Sequence, residues 1–451
     1  MLTLALALVL LACGVALANW RWGIAAAIVV GLLQDPLRKL VPGTPGYLAL
    51  ATAPVWLATM TSAAFANELS IHRFFSRFPR LGRWCALVIA YLAVPAALSA
   101  TYGKNSWMIT LLGVFVYATM LMALVAGWRY PGIRHRIGWI LGFYALATAV
   151  LLVGGPLDAW GWSARSPAIG TEALGHVWLT YRTGAPVYMR AGFFRGPDVM
   201  GWHAALVFMV AVILAFRAKG PARWFWIAIA VWGALNIWLC GRRKMLAMIP
   251  IFFGSYLFLV FRFKNARRLV SLAGTALMIG GLGWYLISSL YRDAAVEAFY
   301  LTTVSEAGDQ LQRHGFESIR STVAQAGFWG YGLGMSQQGI HHIPAEKPRV
   351  WQESGPSKLV AEFGIPGSLL ILCLGWVLAK TIYLVVRQSR LDESFHFTAG
   401  ILSLLVANLM SAVVSAQIFG DPFVAMFLAF LAGLVLSAAR EAPPARAGEG
   451  A

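Results

Sequence analysis

The sequence predicts an all-α polytopic membrane protein with about twelve transmembrane helices (12–13) and two long loops on its outer face. Three observations carry that prediction. Hydrophobic residues make up 59% of the 451-residue chain and charged residues 12%, where a soluble domain carries roughly 25% charged. Nineteen Trp and 26 Phe add aromatic weight of the kind that gathers at membrane interfaces. Apolar runs of 17 to 22 residues recur along the chain, each long enough to cross about 30 Å of hydrocarbon. A water-soluble fold could not hide this much apolar surface. The same composition excludes disorder, a coiled coil and a disulfide scaffold.

The runs fall at 2–18, 46–65, 84–100, 107–127, 137–154, 199–216, 223–240, 244–261, 269–290, 365–386, 397–417 and 422–439. Between the first two, residues 24–33 are too few to span comfortably and end in Gln34-Asp35-Pro36. Pro36 disfavours helix in the residue before it, so segment 24–40 is expected to be re-entrant or interfacial, a thirteenth span being the alternative. Leu11-Ala12-Cys13-Gly14 resembles a lipoprotein cleavage site, but no basic stretch precedes it, and an uncleaved first helix is expected. Cys13, Cys85, Cys240 and Cys373 show no metal or redox spacing. The chain therefore divides into N-terminal helices (1–154), a first outer loop (155–198), central helices (199–290), a large outer loop (291–364), C-terminal helices (365–440) and a tail (441–451).

The net charge of +18 would suggest nucleic acid in a soluble protein; in a membrane protein it is first a matter of topology. Arg73, Arg77, Arg80 and Arg83 form one short-loop cluster, Arg129, Arg134 and Arg136 a second, Arg217, Lys219 and Arg223 a third, and Arg262, Lys264, Arg267 and Arg268 a fourth. Alternation places all four on one side, which is therefore cytoplasmic. Both long loops then lie outside, and the second holds eight of the 18 acids. Arg242-Arg243-Lys244 breaks the pattern. It sits between two spans on the outer side, where three cations are explained either by snorkelling to lipid phosphates or, the favoured reading, by an anionic ligand.

Transporters usually place ionisable groups near the bilayer midplane. Here the strongest polar candidates inside spans are Asn236, His203 and Asn408, no carboxylate lies mid-span, and no inverted repeat is evident. Polar chemistry gathers instead in the outer loops, which favours an interfacial enzyme over a carrier. The first loop ends with Arg190 and Arg195 before Gly196-Pro197-Asp198. Pro197 and Asp198 suit a helix entrance, Asp198 as its cap, and the two arginines suit an anion site.

The second loop reads as an amphipathic helix over 310–326, with Arg313, Phe316, Glu317 and Arg320 at helical spacing. Gly330, Gly332 and Gly334 follow, permitting positive φ and close backbone approach to a ligand. An acidic run of Asp293, Glu297, Glu306 and Asp309 reads as a solvated face, and His341-His342 lack a third metal ligand. Next comes Trp351-Gln352-Glu353-Ser354-Gly355-Pro356. Ser354 or Gly355 is a natural N-cap and Pro356 suits the first helical turn. Gly364 stops this short helix and Pro366 starts the next span, leaving Glu353 at a helix entrance. Glu362 is expected to support the short helix or to meet an arginine.

Taken in order, these elements resemble the O-antigen ligase and O-antigen polymerase superfamily of bacterial envelope glycan assembly. The resemblance rests on 190–201, on Cys240-Gly241-Arg242-Arg243-Lys244, on Arg313 followed by the glycines at 330–334, and on Glu353-Ser354 through Gly367. It covers roughly 190–385. Ligases of the family typically carry His-Asn where this chain has Glu353-Ser354, so the resemblance favours a polymerase-like or divergent member. It implies a bacterial inner-membrane enzyme with its site facing the periplasm. The reaction would join oligosaccharide repeat units of an exopolysaccharide or O-antigen from a polyprenyl diphosphate-linked glycan donor onto a glycan acceptor. No metal or cofactor is implied; a chain-length regulator and a flippase are implied as pathway partners, and nucleic acid is not.

A diphosphate leaving group mainly needs its charge neutralised, and arginine meets phosphate oxygens bidentately. Arg242 and Arg313 are the expected catalytic cations, with Arg190, Arg195, Arg243 and Lys358 binding substrate. Glu353 is the expected base for the acceptor hydroxyl, although it could instead serve as a cap or an arginine partner. One base and no second carboxylate imply inversion. A ligase acting on another acceptor and a transporter or flippase of lipid-linked glycans are the alternatives.

Overall fold

Where no water reaches the backbone, its polar groups must pair internally, and apolar stretches become helices. A computed structural model describes residues 1–130, 136–181, 186–263, 305–337, 354–391, 394–414 and 420–441, with scattered positions between 264 and 304 and between 338 and 353. In chain order the helices are α1 (Leu2–Ala18), α2 (Trp20–Leu40), α3 (Thr52–Phe65), the short α4 (Ile71–Arg77), α5 (Pro79–Tyr91) continued by α6 (Ala93–Ser99), and α7 (Ser106–Arg129). There follow α8 (Arg136–Leu151) continued by α9 (Gly154–Ala159), then α10 (Pro197–Arg217), α11 (Pro221–Leu239) and α12 (Arg243–Phe263). The last are α13 (Ser318–Ala326), α14 (Gly355–Gln388), α15 (Phe395–Val414) and α16 (Pro422–Glu441). Among the described residues the only sheet is a hairpin in the first loop, β1 (Leu179–Thr180) with β2 (Val187–Tyr188), Leu179 opposite Tyr188.

The protein is an all-α polytopic membrane protein: among the described residues ten helices are long and apolar enough to cross a bilayer. Most of the run at 269–290 lies outside the described residues. At the centre stand α10 and α16, whose apolar windows are 94% and 89% enclosed by other helices, against 17% for α14. A helix that is apolar all round belongs inside, and the few polar groups of α10 find partners there. His203 Nδ1 shares a hydrogen bond with Tyr144 Oη at 2.8 Å, and Trp202 Nε1 donates to Asn408 Oδ1 at 2.7 Å. α7 and α16 meet through Gly127 and Gly433; a Cβ on either would stand 2.1 Å from a carbonyl oxygen of the other helix. Small residues of this kind let helices approach closely within a membrane.

The bundle has a basic end. There α4, α7, α10, α12 and α14 finish with Arg77, Arg129, Arg217, Arg262 and Arg387 in their last turns, where cations complement the helix dipole. Segment 24–40 differs from the sequence expectation. It belongs to one continuous α2 of 21 residues, about 31 Å long, that runs between the two ends of the bundle. At its start Arg21 pairs with Glu68, the partner of Arg129. Near its finish Asp35 and Lys39 meet the 155–198 loop at the opposite end. Pro36 removes one helical hydrogen bond, and Asp35 and Lys39 beside it are met by the loop. α2 therefore runs the length of the bundle as one helix, and it brings the start of α1 to the end opposite the basic one, where Ala5 packs with Val41 and Leu48.

The glycine turn after α13 is built as the spacing suggests, with φ of +79°, +112° and +85° at Gly330, Gly332 and Gly334. Its close neighbours, however, are the protein's own helices and not an open site. A Cβ at Gly334 would lie 2.2 Å from the Ile109 carbonyl oxygen, and one at Gly332 would lie 2.5 Å from Ser99 N. Tyr331 N donates to Ala361 O and Leu333 N to Pro95 O, so the turn stitches α6, α7 and α14 together. Gly334→Ala is expected to destabilise the protein by about 1–3 kcal/mol or more through left-handed strain. Thermal unfolding in detergent should show a lower midpoint than wild type, whereas Gly14→Ala, with open space around it, should not. An unchanged Gly334→Ala midpoint would contradict the stitching role.

Candidate functional site

At the end opposite the basic one, the first turns of α10 and α12 lie side by side. Gly196 is the N-cap of α10 and Pro197 occupies its first turn. Asp198, expected as the cap, makes no capping bond; it lies inside the first turn and serves α12 instead. Its carboxylate is 2.8 Å from Arg242 Nη2 and 2.5 Å from Lys244 Nζ. Arg242 also lies over the Trp178 ring, 4.8 Å from its centroid, bringing the hairpin loop onto the cluster. Its Nε and Nη2 are buried and have no hydrogen-bond partner, the ion pair to Asp198 being off the geometry of a hydrogen bond. Buried guanidinium donors left unmade are costly, and such groups are where an acceptor ligand would be used.

Arg190 joins the same region through its backbone, whose N–H donates to Leu239 O at 3.2 Å. Its Nη1 is 3.5 Å from Asp158 Oδ1, its guanidinium lies 5.6 Å from the Tyr188 ring centroid, and its Nε is again buried without a hydrogen-bond partner. Arg243 is fully occupied. It donates to Thr302 Oγ1 at 3.0 Å and Glu306 Oε2 at 2.8 Å and lies 4.4 Å from the Phe299 centroid. Glu306, expected on a solvated face, is thus an arginine partner, while Asp309 is exposed. Tyr300 fixes this segment, stacking on Trp238 and donating to the carbonyls of Ile237 and Trp238. Cys240 is inert here: burial pushes its thiol up to about 12, and Sγ donates to Ile237 O.

A second polar layer lies beneath. Arg195, expected on the substrate, is instead clamped between two buried carboxylates. Its backbone N–H and Nη1 donate to Asp35 at 3.1 and 3.2 Å, and its Nη2 donates to Asp421. Asp421 also accepts from Phe423 N and Val424 N at the start of α16. Lys39 Nζ donates to Phe194 O, Gly192 O and Ala168 O at 2.6, 3.0 and 3.3 Å. Asp158 Oδ2 accepts from Ala191 N and Gly192 N. The loop leading into α10 is therefore held from both sides.

Lys358, expected to face a diphosphate, is 1% exposed, and its Nζ donates to Gln337 Oε1 at 3.3 Å. Gln337 Nε2 donates to Glu362, which also accepts from Tyr117 Oη at 2.6 Å and from Ser336 N at 2.9 Å. Glu362 meets these groups in place of an arginine. Ser354 is the N-cap of α14, accepting from Ser357 N, and Gly364 breaks the helix at φ +65° and ψ −172°, both as expected. Glu353 and His341-His342 lie outside the described residues.

Arg313 falls in a π-helical stretch, Leu311–Glu317, that leads into α13, so the expected single helix over 310–326 is interrupted. It is exposed and has no ion pair among the described residues, and nearby Gly315 faces Val413 of α15. The structure thus brings Arg190, Arg242 and Arg243 to one patch, clamps Arg195 between Asp35 and Asp421, and buries Lys358 against Gln337. Sequence reasoning missed Trp178, Asp158, Gln337 and Tyr117. Only Gln337, three residues past the glycine turn, had a local signal. No protein-family model matches the chain, and no curated protein matches it.

Proposed function

We propose that this protein is a membrane glycosyltransferase of the O-antigen ligase and polymerase type, polymerising or transferring oligosaccharide units from a polyprenyl diphosphate carrier on the periplasmic face of the bacterial inner membrane. The observation that carries the reading is Arg242 on an apolar bundle, its buried Nε without a hydrogen-bond partner and its Nη2 held only by the Asp198 ion pair, backed by the buried Nε of Arg190. The chemistry that suits them is a lipid-held anion with several oxygens. The acceptor hydroxyl would attack the anomeric carbon, Glu353 taking its proton, while the carbon–oxygen bond to the diphosphate breaks and the electron pair leaves with phosphate. Arg242 would neutralise the charge that develops on that leaving group. Arg190 and Arg243 would bind the diphosphate alongside it, exchanging their present carboxylates for phosphate oxygens, and exposed Arg313 would close on the substrate from the second loop. Arg195 would act as a support, holding the loop that leads into α10. Glu353-Ser354 in place of His-Asn favours polymerase-like chain extension.

The test is purified protein with a lipid-linked repeat unit. Longer chains formed in detergent, without two compartments, support chemistry. Movement between leaflets of a liposome with unchanged chain length would replace this reading with transport. Arg242→Gln is expected to lower turnover about 10²-fold, the scale of losing one preorganised charge-stabilising donor, with membrane insertion unchanged. Turnover within a factor of two of wild type would remove Arg242 from the site.

A further inference from the structure

The basic end carries a second site, unrelated to the one above. Asn19, Arg21, Trp22, Tyr130 and Trp139 line a cavity of about 390 Å³ between the start of α2, the end of α7 and the start of α8. That volume falls within the range of ligand pockets, about 300–1,000 Å³. Its walls are aromatic: Trp22 and Trp139 meet edge to face at 5.2 Å, Trp20 and Tyr130 at 6.1 Å, and Arg21 lies 5.0 Å from the Trp20 centroid. Trp22 and Trp139 are 56% and 41% exposed, as suits indoles at the boundary between hydrocarbon and water.

Charge at the cavity does not balance. Glu68 is shared by Arg21, 3.1 Å away, and by Arg129. Burial would raise the Glu68 carboxyl, but the two guanidiniums outweigh it and hold it below the usual range. One carboxylate against two guanidiniums leaves a positive charge over, and Nε of both arginines is buried without a hydrogen-bond partner. An anion with acceptor oxygens in the cavity would meet the excess charge at Arg21, the arginine that lines it. The place narrows its source, because this end holds the arginines that finish α4, α7, α10, α12 and α14, and basic clusters at a membrane surface attract anionic lipid.

We propose that the cavity at Arg21 is a binding site for the phosphate headgroup of an anionic phospholipid, with Trp22 and Trp139 flanking the glycerol. Arg21 supplies the charge and Arg129, through Glu68, positions it. The experiment is native mass spectrometry of the detergent-purified full chain titrated with phosphatidylglycerol or phosphatidylcholine. Wild type is expected to bind one phosphatidylglycerol more tightly than phosphatidylcholine. Arg21→Gln should weaken that one event about fivefold, the scale of one basic residue at a membrane surface, while Arg21→Lys keeps most of it. Trp139→Leu, at a partly exposed wall of the cavity, should weaken both lipids. Arg320→Gln, in α13 outside the cavity, should change neither. Equal binding of the two lipids by wild type, or an undiminished preference in Arg21→Gln, would overturn the proposal. So would inorganic phosphate at equal concentration displacing the lipid, which would make the site one for a free anion.

Discussion

Glu353→Gln is expected to leave the protein inserted in its membrane and to abolish polymer, lowering transfer about 10²–10⁴-fold, the range for losing a positioned general base. Glutamine keeps the shape and the hydrogen-bonding oxygen of glutamate but cannot take a proton. The fold should tolerate it, because the cap of α14 belongs to Ser354, which accepts from Ser357 N, and not to its neighbour. Two general influences act on a carboxylate used as a base. A helix N-terminus or nearby arginines would favour its charged form and weaken it. Packing against Trp351 would favour the neutral form. The activity profile against pH separates them: a base limb in wild type that disappears in the variant identifies Glu353 as the group. Polymer of wild-type length from Glu353→Gln would sink the assignment and leave the arginines to act on an unassisted hydroxyl.

The second large effect concerns stability. Arg195→Met is expected to destabilise the protein by about 3–5 kcal/mol, since removing one partner of a buried ion pair strands the charge that remains. Here two carboxylates would be stranded, Asp35 at 2% and Asp421 at 3% exposure. Asp35 anchors the end of α2 and Asp421 the start of α16, so the loss reaches both. Thermal unfolding in detergent should show a large drop for the single variant. Asp35→Asn and Asp421→Asn combined with Arg195→Met should recover most of it, because no charge is then left unpaired. A single variant that melts like wild type and loses only transfer would return Arg195 to the substrate.

Both residues show what could be read in the chain. The spans were legible because lipid leaves an apolar run few alternatives, and the break at Gly364 between Ser354 and Pro366 was legible because caps and breakers act locally. α2 was misread for the opposite reason. Hydropathy counts Asp35 and Lys39 as costs, yet their partners, Arg195 and the carbonyls of 168, 192 and 194, come from a loop far along the chain. Arg195 itself looked like a ligand cation because its carboxylates lie 160 and 226 residues away. The glycines at 330–334 were correctly read for backbone conformation, but the object they approach is tertiary information. Tyr117 sits in an apolar run with nothing beside it to mark a partnership with Glu362.

The break in α14 has a mechanical meaning. Its first part, carrying Lys358 and Glu362, is enclosed by the 330–337 turn and α7, while its second part presents Leu369, Leu372 and Trp376 to lipid. A rigid rod through that point would transmit every change of bilayer thickness to the polar layer. A span answers hydrophobic mismatch by tilting, and the non-helical backbone of Gly364 gives α14 a pivot. The lipid-facing rod can lean while the enclosed half stays seated. Such a pivot would isolate the polar layer from the thickness of the membrane.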